Sequence, residues 1–139
     1  MKKEDIAQAM LIQQGNFIDA WNEKNFLYDL NQNTFATVLV IEDNQKIIGF
    51  IDYWIMFEQA TINNFFIKKD RQRQGLGSQI INEVLDNLIK KGVHQVSLEV
   101  RVSNIIAKKF YEKFDFKQIL IKPAYYYDGE DACFMVKVL

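Results

Sequence analysis

Two glycines separated by a single residue follow a short basic stretch of the chain, in the segment Ile67-Lys68-Lys69-Asp70-Arg71-Gln72-Arg73-Gln74-Gly75-Leu76-Gly77-Ser78. Glycine places no side chain between the backbone amides and an approaching anion. The first N–H groups of a helix have no internal acceptor, and the helix dipole favours negative charge there. If a helix starts at this segment, the pattern predicts a phosphate or pyrophosphate site. The alternative is a glycine-softened turn between a strand and a helix, with solvated charges.

Two familiar phosphate-binding motifs do not describe this segment. The Walker A pattern requires G-x-x-x-x-G-K-[ST], and the dinucleotide fingerprint requires G-x-G-x-x-G; neither occurs here. The strands before the segment are also predicted to be antiparallel, whereas a dinucleotide fingerprint belongs to a parallel unit. The anion site therefore belongs to another kind of fold.

Changes in hydrophobic periodicity divide the chain into ten elements. Two helices are predicted over residues 4–14 and 19–30. A third is predicted where apolar residues from Ile80 to Ile89 share one helical face, and a fourth runs from a cap at Ser103 or Asn104 to about Lys113. Gly92 suits the position after the third helix, where a left-handed residue commonly ends a helix. Strands are predicted over residues 34–41, 46–57, 61–67, 93–100, 116–122 and 132–139. Gly49, inside the second strand, indicates a bulge or a close backbone approach.

This order predicts an α/β (mixed α+β) fold. Three strands joined by short turns form an antiparallel meander, and one strand–helix–strand crossover follows it. The sheet should be mixed, mostly antiparallel and flanked by helices, with the glycine segment opening the crossover. Residues 1–139 form a single domain in this interpretation, since the sequence shows no linker, repeat or low-complexity tract.

Composition restricts the classes of function. A net charge of −1 and a pI near 5.8 argue against non-specific nucleic-acid binding. One cysteine, Cys133, excludes an intrachain disulfide and favours a cytosolic protein with a buried thiol in a strand. A single histidine, His94, excludes a multi-histidine metal site, and we expect no metal cofactor. No apolar run approaches the ~20 residues of a membrane span, and the N-terminus does not resemble a signal peptide. We therefore expect a cytoplasmic protein that does not enter membranes.

Four blocks in order resemble the GNAT acetyltransferases. They are Gln72-Arg73-Gln74-Gly75-Leu76-Gly77, then Leu98–Asn104, then Phe110–Phe116, and finally Ala124–Ala132. The first matches the Gln/Arg-x-x-Gly-x-Gly/Ala motif of that family. Together they look like its RimI-type branch, whose members acetylate protein N-termini. The resemblance is strongest from about Asn64 to Met135.

The resemblance implies roles for individual residues. Phe65, Phe66 and Ile67 would lie on the strand whose backbone pairs with the pantetheine arm of acetyl-coenzyme A. The pyrophosphate would be wrapped by Arg73, Gln74, Gly75, Leu76, Gly77 and Ser78, and Asn104 would hydrogen-bond the same cosubstrate. Glu99 would be the general base that deprotonates the acceptor ammonium, and Tyr111 the general acid that protonates the coenzyme A thiolate. Spacing alone leaves Glu99 equally open to being a solvated strand-end carboxylate, and Tyr111 to being a packed aromatic.

Three features depart from the family pattern or lie beyond it. Asp115 stands where the family often has glycine before the last phenylalanine of the third block; aspartate tolerates a left-handed backbone better than most residues. The N-terminus is short, and we expect the usual first strand of the family to be missing. The run Tyr125-Tyr126-Tyr127 is predicted to lie over a peptide entrance, or else to form a packed turn. Acceptor specificity is thus the part least fixed by the resemblance.

Three functions follow in order of preference. The first is an N-acetyltransferase that acts on a protein N-terminus, with a ribosomal protein as acceptor, in a monomer or weak dimer. The second uses the same cosubstrate with a small amine or a lysine as acceptor; cleft residues near Trp21, Phe26, Trp54 and Tyr125 should distinguish the two. The third is a non-enzymatic module that binds acyl-coenzyme A, against which the presence of both Glu99 and Tyr111 argues.

Overall fold

The structure is a computed structural model that describes residues 1–14 and 18–139. Four α-helices are present in these ranges: α1 (Ile6–Gln13), α2 (Glu23–Asn31), α3 (Leu76–Lys90) and α4 (Ile105–Glu112). Six strands accompany them: β1 (Ala36–Asp43), β2 (Lys46–Met56), β3 (Gln59–Ile67), β4 (Gln95–Arg101), β5 (Lys117–Lys122) and β6 (Ala132–Val138). Short 3-10 turns, Lys3–Asp5 and Lys69–Arg71, precede α1 and α3.

One six-stranded sheet has the order β1-β2-β3-β4-β6-β5. Its β3–β4 pair is parallel and the other neighbours are antiparallel. The parallel pair is joined through α3, which is the predicted strand–helix–strand crossover. The predicted mixed, mostly antiparallel sheet flanked by helices is therefore confirmed. In the sheet β6 lies between β4 and β5, so β5 is at the edge. The order of the elements in the sequence does not indicate this arrangement.

Helices cover both faces of the sheet. On one face, α3 and Tyr111 of α4 pack against a large apolar cluster that includes Leu98 of β4 and Cys133 of β6. On the other face, Ile6 and Ala9 of α1 and Phe26 of α2 pack against Phe50 and Phe66. Along β4, Val96, Leu98 and Val100 enter the first cluster, so Ser97 and Glu99 face the side of α1 and α2. Cys133 is fully buried, as expected for a structural thiol.

Local signals explain where the elements begin and end. Helix α2 starts at Glu23 rather than near residue 19, because the Asn22 side chain caps it by accepting from the Asn25 N–H. Gly92 has a φ of 78° after α3, as predicted. Asp115 also takes the left-handed conformation, with a φ of 64°, so the residue that replaces glycine keeps the turn. A Cβ at Gly49 would lie 2.5 Å from the Phe66 carbonyl oxygen, which is the predicted close approach.

Within the described part of the chain, the helices are all too short or too polar to cross a bilayer.

Candidate active site

The site is organised by the divergence of the two parallel strands. Their register runs from the Gln59–Gln95 pair to the Ile62–Leu98 pair, although β3 continues to Ile67 and β4 to Arg101. Beyond Ile62 and Leu98 the strands therefore separate, and the β3 edge that carries Phe65, Phe66 and Ile67 leaves its neighbour. Such an edge presents backbone N–H and C=O groups that can pair with an extended ligand. Glu99 is the first residue of β4 past the divergence.

The start of α3 lies beyond the end of β3 and differs from the starts of α2 and α4. Asparagine side chains cap those two helices, at Asn22 and Asn104, whereas Gly75 precedes α3 and makes no side-chain cap. The N–H groups of Leu76, Gly77 and Ser78 thus lie in the first turn, ahead of the first intrahelical bond, which runs from the Gln79 N–H to the Gly75 carbonyl. This geometry is compatible with a diphosphate group, and the predicted contact of residues 73–78 with that group stays a prediction.

Side chains around the loop fix its shape. The Arg71 guanidinium lies 2.7 Å from Asp43 of β1, and the Gln72 amide donates to the Ile67 carbonyl at 2.7 Å. Arg71 is therefore held to the sheet, while Arg73 and Gln74 are exposed on the loop. The basic run is offset by Asp43 as well as by Asp70, which lies 3.4 Å from Lys68. Arg73 is the cation of the predicted set best placed to meet a ligand phosphate.

The two glycines of the motif serve different purposes. Gly75 has a φ of 80°, which non-glycine residues adopt at a cost, and a Cβ there would meet open space. Gly77 has no positive φ, but a Cβ there would lie 3.2 Å from the Phe110 ring of α4. Gly75 shapes the turn before the helix, and Gly77 lets α4 pack closely against the first turn of α3.

We expect Gly75→Ala to lower the free energy of unfolding by about 1 kcal/mol, because alanine is strained at this φ. It should also weaken coenzyme A binding, since the turn that presents the α3 amides is distorted. Urea unfolding and calorimetric titration with coenzyme A measure the two effects. Gly92→Ala is the matched control, because Gly92 has a φ of 78° and open space around its Cβ position, at the far end of α3. A similar loss of affinity in Gly92→Ala would contradict the assignment of the α3 start.

Glu99 is held by a lysine that the sequence did not point to. Its Oε1 accepts a hydrogen bond from Lys122 Nζ at 2.7 Å, and its side chain is 16% exposed. Lys122 ends β5, and β6 lies between β5 and β4, so the lysine reaches across that strand. Its ammonium passes 4.5 Å from the Phe134 ring and 5.6 Å from the Tyr125 ring. Glu99 is thus not a freely solvated carboxylate.

Tyr111 approaches the divergence from the opposite face. It is 7% exposed and packs against Phe110 and Phe116, with ring centroids 5.2 and 5.5 Å away. Its helix bridges both strands, because Phe110 also lies 6.1 Å from Phe65 of β3. Burial raises the pKa of the Tyr111 hydroxyl, so the phenol stays protonated and can donate a hydrogen bond, although it becomes a weaker acid. Its role as general acid stays a prediction, compatible with this placement.

Asn104 has a structural task beside its predicted ligand contact. Its Oδ1 accepts from the Ala107 N–H at 3.1 Å and so caps α4. Asn104 is exposed, and its amide nitrogen is not used by the cap. The predicted contact with the cosubstrate stays a prediction.

The tyrosine run lies on the loop between β5 and β6, beside Glu99. Tyr127 is 87% exposed and Tyr125 49% exposed. The pKa of the Tyr125 hydroxyl is raised by burial and then by the charge of Glu99. Tyr126 packs inward, with its ring 4.2 Å from the Arg101 guanidinium carbon. Tyr125 therefore lies beside Glu99, while Tyr126 belongs to a packed turn.

Arg101 joins this loop to the segment before α2. Its guanidinium is 6% exposed and lies 2.8 Å from Asp19, 2.8 Å from Asp128 and 3.0 Å from Glu130. A hydrogen bond from the Glu130 N–H lowers the pKa of Asp128. Hydrogen bonds from the side chain and then the N–H of Ser103 lower the pKa of Glu130, and Arg101 lowers both values further. The two loops that flank Glu99 are thereby held by one cation.

A polar cluster lies deeper on the same face. A register shift between Asp52 and Tyr53 of β2 places Asn63 and Asn64 of β3 opposite Asp52. Asn63 donates to Asp52 Oδ1 at 3.0 Å, while Asp52 Oδ2 and both amide atoms of Asn64 are buried without a partner in the described structure. Burial raises the pKa of Asp52 to about 8, and the nearby Asp29 adds to this shift. The raised pKa of Asp52 therefore favours its protonated form at neutral pH.

We expect Asp52→Asn to stabilise the protein and to flatten its pH dependence. The folded protein holds a proton on Asp52 between the unfolded pKa of 3.8 and the folded value of about 8, whereas the unfolded chain does not. Stability should fall by up to about 1.4 kcal/mol per pH unit over that window as pH rises, and level off above it. Asparagine keeps an acceptor for Asn63 without the titration. Thermal unfolding of both proteins from pH 5 to pH 9 tests this; parallel curves would contradict it.

The four residues near the expected acceptor cleft differ in how they are placed. Phe26 itself is fully buried against Phe50, so it packs in the core beneath the expected cleft region. The rings of Trp21 and Phe26 pack edge to face, with their centroids 5.3 Å apart. Trp54 donates to Asp29 at 2.9 Å and lines an open depression of about 680 Å³ with Met56 and Thr61. Tyr125 remains beside Glu99.

Sequence reasoning missed Lys122, Arg101 and Asp52. Lys122 and Arg101 meet partners 23 to 82 residues away in the chain, and only the strand order brings them together. Asp52 carried a usable signal, since a carboxylate inside the apolar strand Lys46–Met56 must be neutralised or paired. In residues 1–14 and 18–139, no three metal-ligating side chains converge in a way that could hold an ion.

The model of the acetyltransferase (GNAT) family matches residues 6–116, a range that contains the divergence, the glycine loop, Glu99 and Tyr111.

Individual proteins extend the similarity over nearly the whole chain. The [ribosomal protein bS18]-alanine N-acetyltransferase of Escherichia coli (strain K12) is 34% identical over 138 residues, covering 97% of this chain and 92% of that protein. A Bacillus subtilis (strain 168) protein, provisionally assigned the same activity, is 35% identical over 136 residues, covering 97% of this chain and 90% of its own. The crystal structure of the ribosomal-protein-S18-alanine N-acetyltransferase from Escherichia coli superposes with a TM-score of 0.89 at 33% identity, covering 99% of this chain and 90% of that one.

Proposed function

The chain belongs to the GNAT family of N-acetyltransferases, and we propose that it transfers the acetyl group of acetyl-coenzyme A to the α-amino group of a protein N-terminus. A ribosomal protein with N-terminal alanine is the proposed acceptor, since the E. coli relative carries that activity in its name. Such an acceptor would place the reaction in the cytoplasm.

The observation that carries the proposal is the position of Glu99 at the divergence of β3 and β4. One side of the gap offers the β3 edge and the uncapped start of α3, which suit the pantetheine and diphosphate groups. The other side offers Glu99, flanked by the tyrosine loop and by the segment before α2. A thioester bound along the first side and an amine held on the second would meet at this point.

Proton transfer is the chemistry these residues would supply. A protein α-amine has a pKa near ~8 and reaches the site mostly as an ammonium, which cannot attack a carbonyl carbon. Glu99 would accept that proton, directly or through water. A backbone N–H of the free β3 edge would stabilise the oxyanion. Tyr111 would serve as the general acid toward the departing thiolate. Burial raises the pKa of its hydroxyl, which favours a hydrogen bond to the thiolate over full proton transfer.

Specificity for an N-terminus is supported by the charge around Glu99. Asp19, Asp128 and Glu130 surround a single guanidinium, so the two flanking loops carry an excess of negative charge. Such a surface favours an incoming ammonium. The exposed Tyr125 and Tyr127 hydroxyls and rings are suited to contact the peptide backbone that follows the first residue.

The test is a thiol-release assay with acetyl-coenzyme A and a panel of acceptors. The panel contains peptides with free N-terminal Ala, Ser, Met and Gly, peptides with a blocked N-terminus and an internal lysine, and polyamines. Turnover confined to free N-termini, with the acetyl group located there by mass spectrometry, is the expected result. Turnover only on polyamines or on internal lysine would contradict the proposal and would assign a small amine or a lysine as the acceptor. Binding of acetyl-coenzyme A without turnover on any acceptor would contradict the proposal and would favour a non-enzymatic module that binds acyl-coenzyme A.

A further inference from the structure

Lys122 places a primary amine against the proposed general base. Its Nζ lies 2.7 Å from Glu99 Oε1, within hydrogen-bond distance. An acceptor amine that gives its proton directly to this carboxylate must make the same contact. The lysine ammonium thus occupies the position that an acceptor ammonium needs for direct proton transfer.

Aromatic rings define this position further. The Phe134 ring lies below the ammonium at 4.5 Å, and the Tyr125 ring flanks it at 5.6 Å. Ring faces attract ammonium groups of any origin, through their quadrupole. With Glu99 they form an ammonium site of two rings and one carboxylate, and the lysine side chain that fills it is 37% exposed.

We propose that Lys122 is an intramolecular acceptor, acetylated on Nζ by this enzyme when no peptide occupies the site. The inference rests on the proposed transferase function and adds a modification site to it. Lys122 differs from the other lysines whose ion pairs the structure describes, since Lys68 faces Asp70 and Lys137 faces Asp115, away from the divergence.

The step balances with acetyl-coenzyme A as the only co-reactant. The Lys122 ammonium gives one proton to Glu99, and the free amine attacks the thioester carbonyl carbon, forming a C–N bond. The tetrahedral intermediate loses its second N–H proton to solvent and breaks the C–S bond. Coenzyme A leaves as the thiolate and takes a proton, from Tyr111 or water. The products are Nε-acetyl-Lys122 and coenzyme A, with no change of oxidation state.

Two properties follow from the geometry. The reaction occurs within one molecule, so its half-time should not depend on protein concentration. A lysine amine is more basic than a protein α-amine, so self-acetylation should be much slower than turnover on a good peptide, and peptide should suppress it by competing for Glu99. Acetylation removes the lysine charge and with it the ion pair to Glu99.

The experiment incubates the purified chain with acetyl-coenzyme A alone and follows intact mass and peptide maps over time. Wild type, Lys122→Arg, Glu99→Gln and Lys117→Arg are compared; Lys117 lies at the other end of β5 and serves as the matched control. We expect one acetyl group on Lys122 in wild type and in Lys117→Arg, at a rate independent of protein concentration. It should be absent from Lys122→Arg and at least about tenfold slower in Glu99→Gln.

The same samples are assayed with the N-terminal alanine peptide. Peptide turnover without acetyl on Lys122 would overturn the self-acetylation and leave the proposed function standing. Equal acetylation of many lysines, unaffected by Glu99→Gln, would show spontaneous chemistry and would also overturn it. Failure of both reactions would overturn the inference together with the proposed function.

Discussion

Replacing Glu99 by glutamine should lower kcat for an N-terminal peptide by a factor of about 100 to 10,000, the usual contribution of a positioned general base. Glutamine keeps the length of the side chain and an oxygen that Lys122 can still bond, so the change removes proton acceptance with little change of shape. Affinity for coenzyme A should be unaltered, because the α3 start and the β3 edge are untouched. Steady-state kinetics and calorimetric titration measure the two quantities.

The pH profile separates a lost base from a disturbed site. Above pH ~8 the acceptor α-amine loses its proton without help, so the deficit of Glu99→Gln should shrink as pH rises. A structural defect would leave a constant deficit. Glu83→Gln is the matched control, since Glu83 is exposed on α3 and bonded to Gln79. Activity of Glu99→Gln within about threefold of wild type at neutral pH would remove Glu99 from the role of base.

Local rules were sufficient to predict the elements that carry the site. The strand alternation of Val96, Leu98 and Val100 placed Glu99 on the less apolar face, and the structure confirms that placement. The two glycines and the following amphipathic stretch predicted the start of α3. These signals lie within a few residues of one another, and the physics that produces them is local.

The contacts that complete the site depend on strand order. Lys122 reaches Glu99 only because β6 pairs with β4 and places β5 outside it, an arrangement that neither spacing nor periodicity specifies. Gly77 looked like a second phosphate-binding glycine, but its lack of a side chain also accommodates Phe110, 33 residues later in the numbering. Phe26, near which the sequence suggested a cleft, lies in the core, because helical periodicity identifies an apolar face but not the element that packs on it.

Replacing Arg101 by methionine should have the largest effect on stability. The guanidinium is 6% exposed and is the cation shared by Asp19, Asp128 and Glu130. Its removal leaves three carboxylates close together without the charge that holds them. Breaking a buried ion pair costs about 3–5 kcal/mol. Since the carboxylates here are partly exposed and screened by solvent, we expect about 2–3 kcal/mol and a Tm lower by on the order of 10 °C.

Kinetics should show which part of the site the Arg101 cluster supports. Arg101 holds the tyrosine loop and the segment before α2, so KM for the peptide should rise in Arg101→Met while affinity for coenzyme A is retained at temperatures where the protein is folded. Lys137→Met removes a cation paired with the exposed Asp115 at 3.7 Å and should cost less than about 1 kcal/mol. A matching rise in the coenzyme A dissociation constant would mean that Arg101 supports the whole fold.

Acid unfolding gives an independent check on the same cluster. The pKa values of Asp128 and Glu130 are lowered in the folded protein, so their contribution to stability is present above the usual carboxyl range and is lost as pH falls through it. Without the guanidinium, the carboxylates repel one another, and protonation relieves that repulsion. Arg101→Met should therefore lose less stability than wild type between pH ~5 and pH ~3. An equal loss in both proteins would mean that the three carboxylates act independently of Arg101, and that the two loops beside Glu99 are held by other contacts.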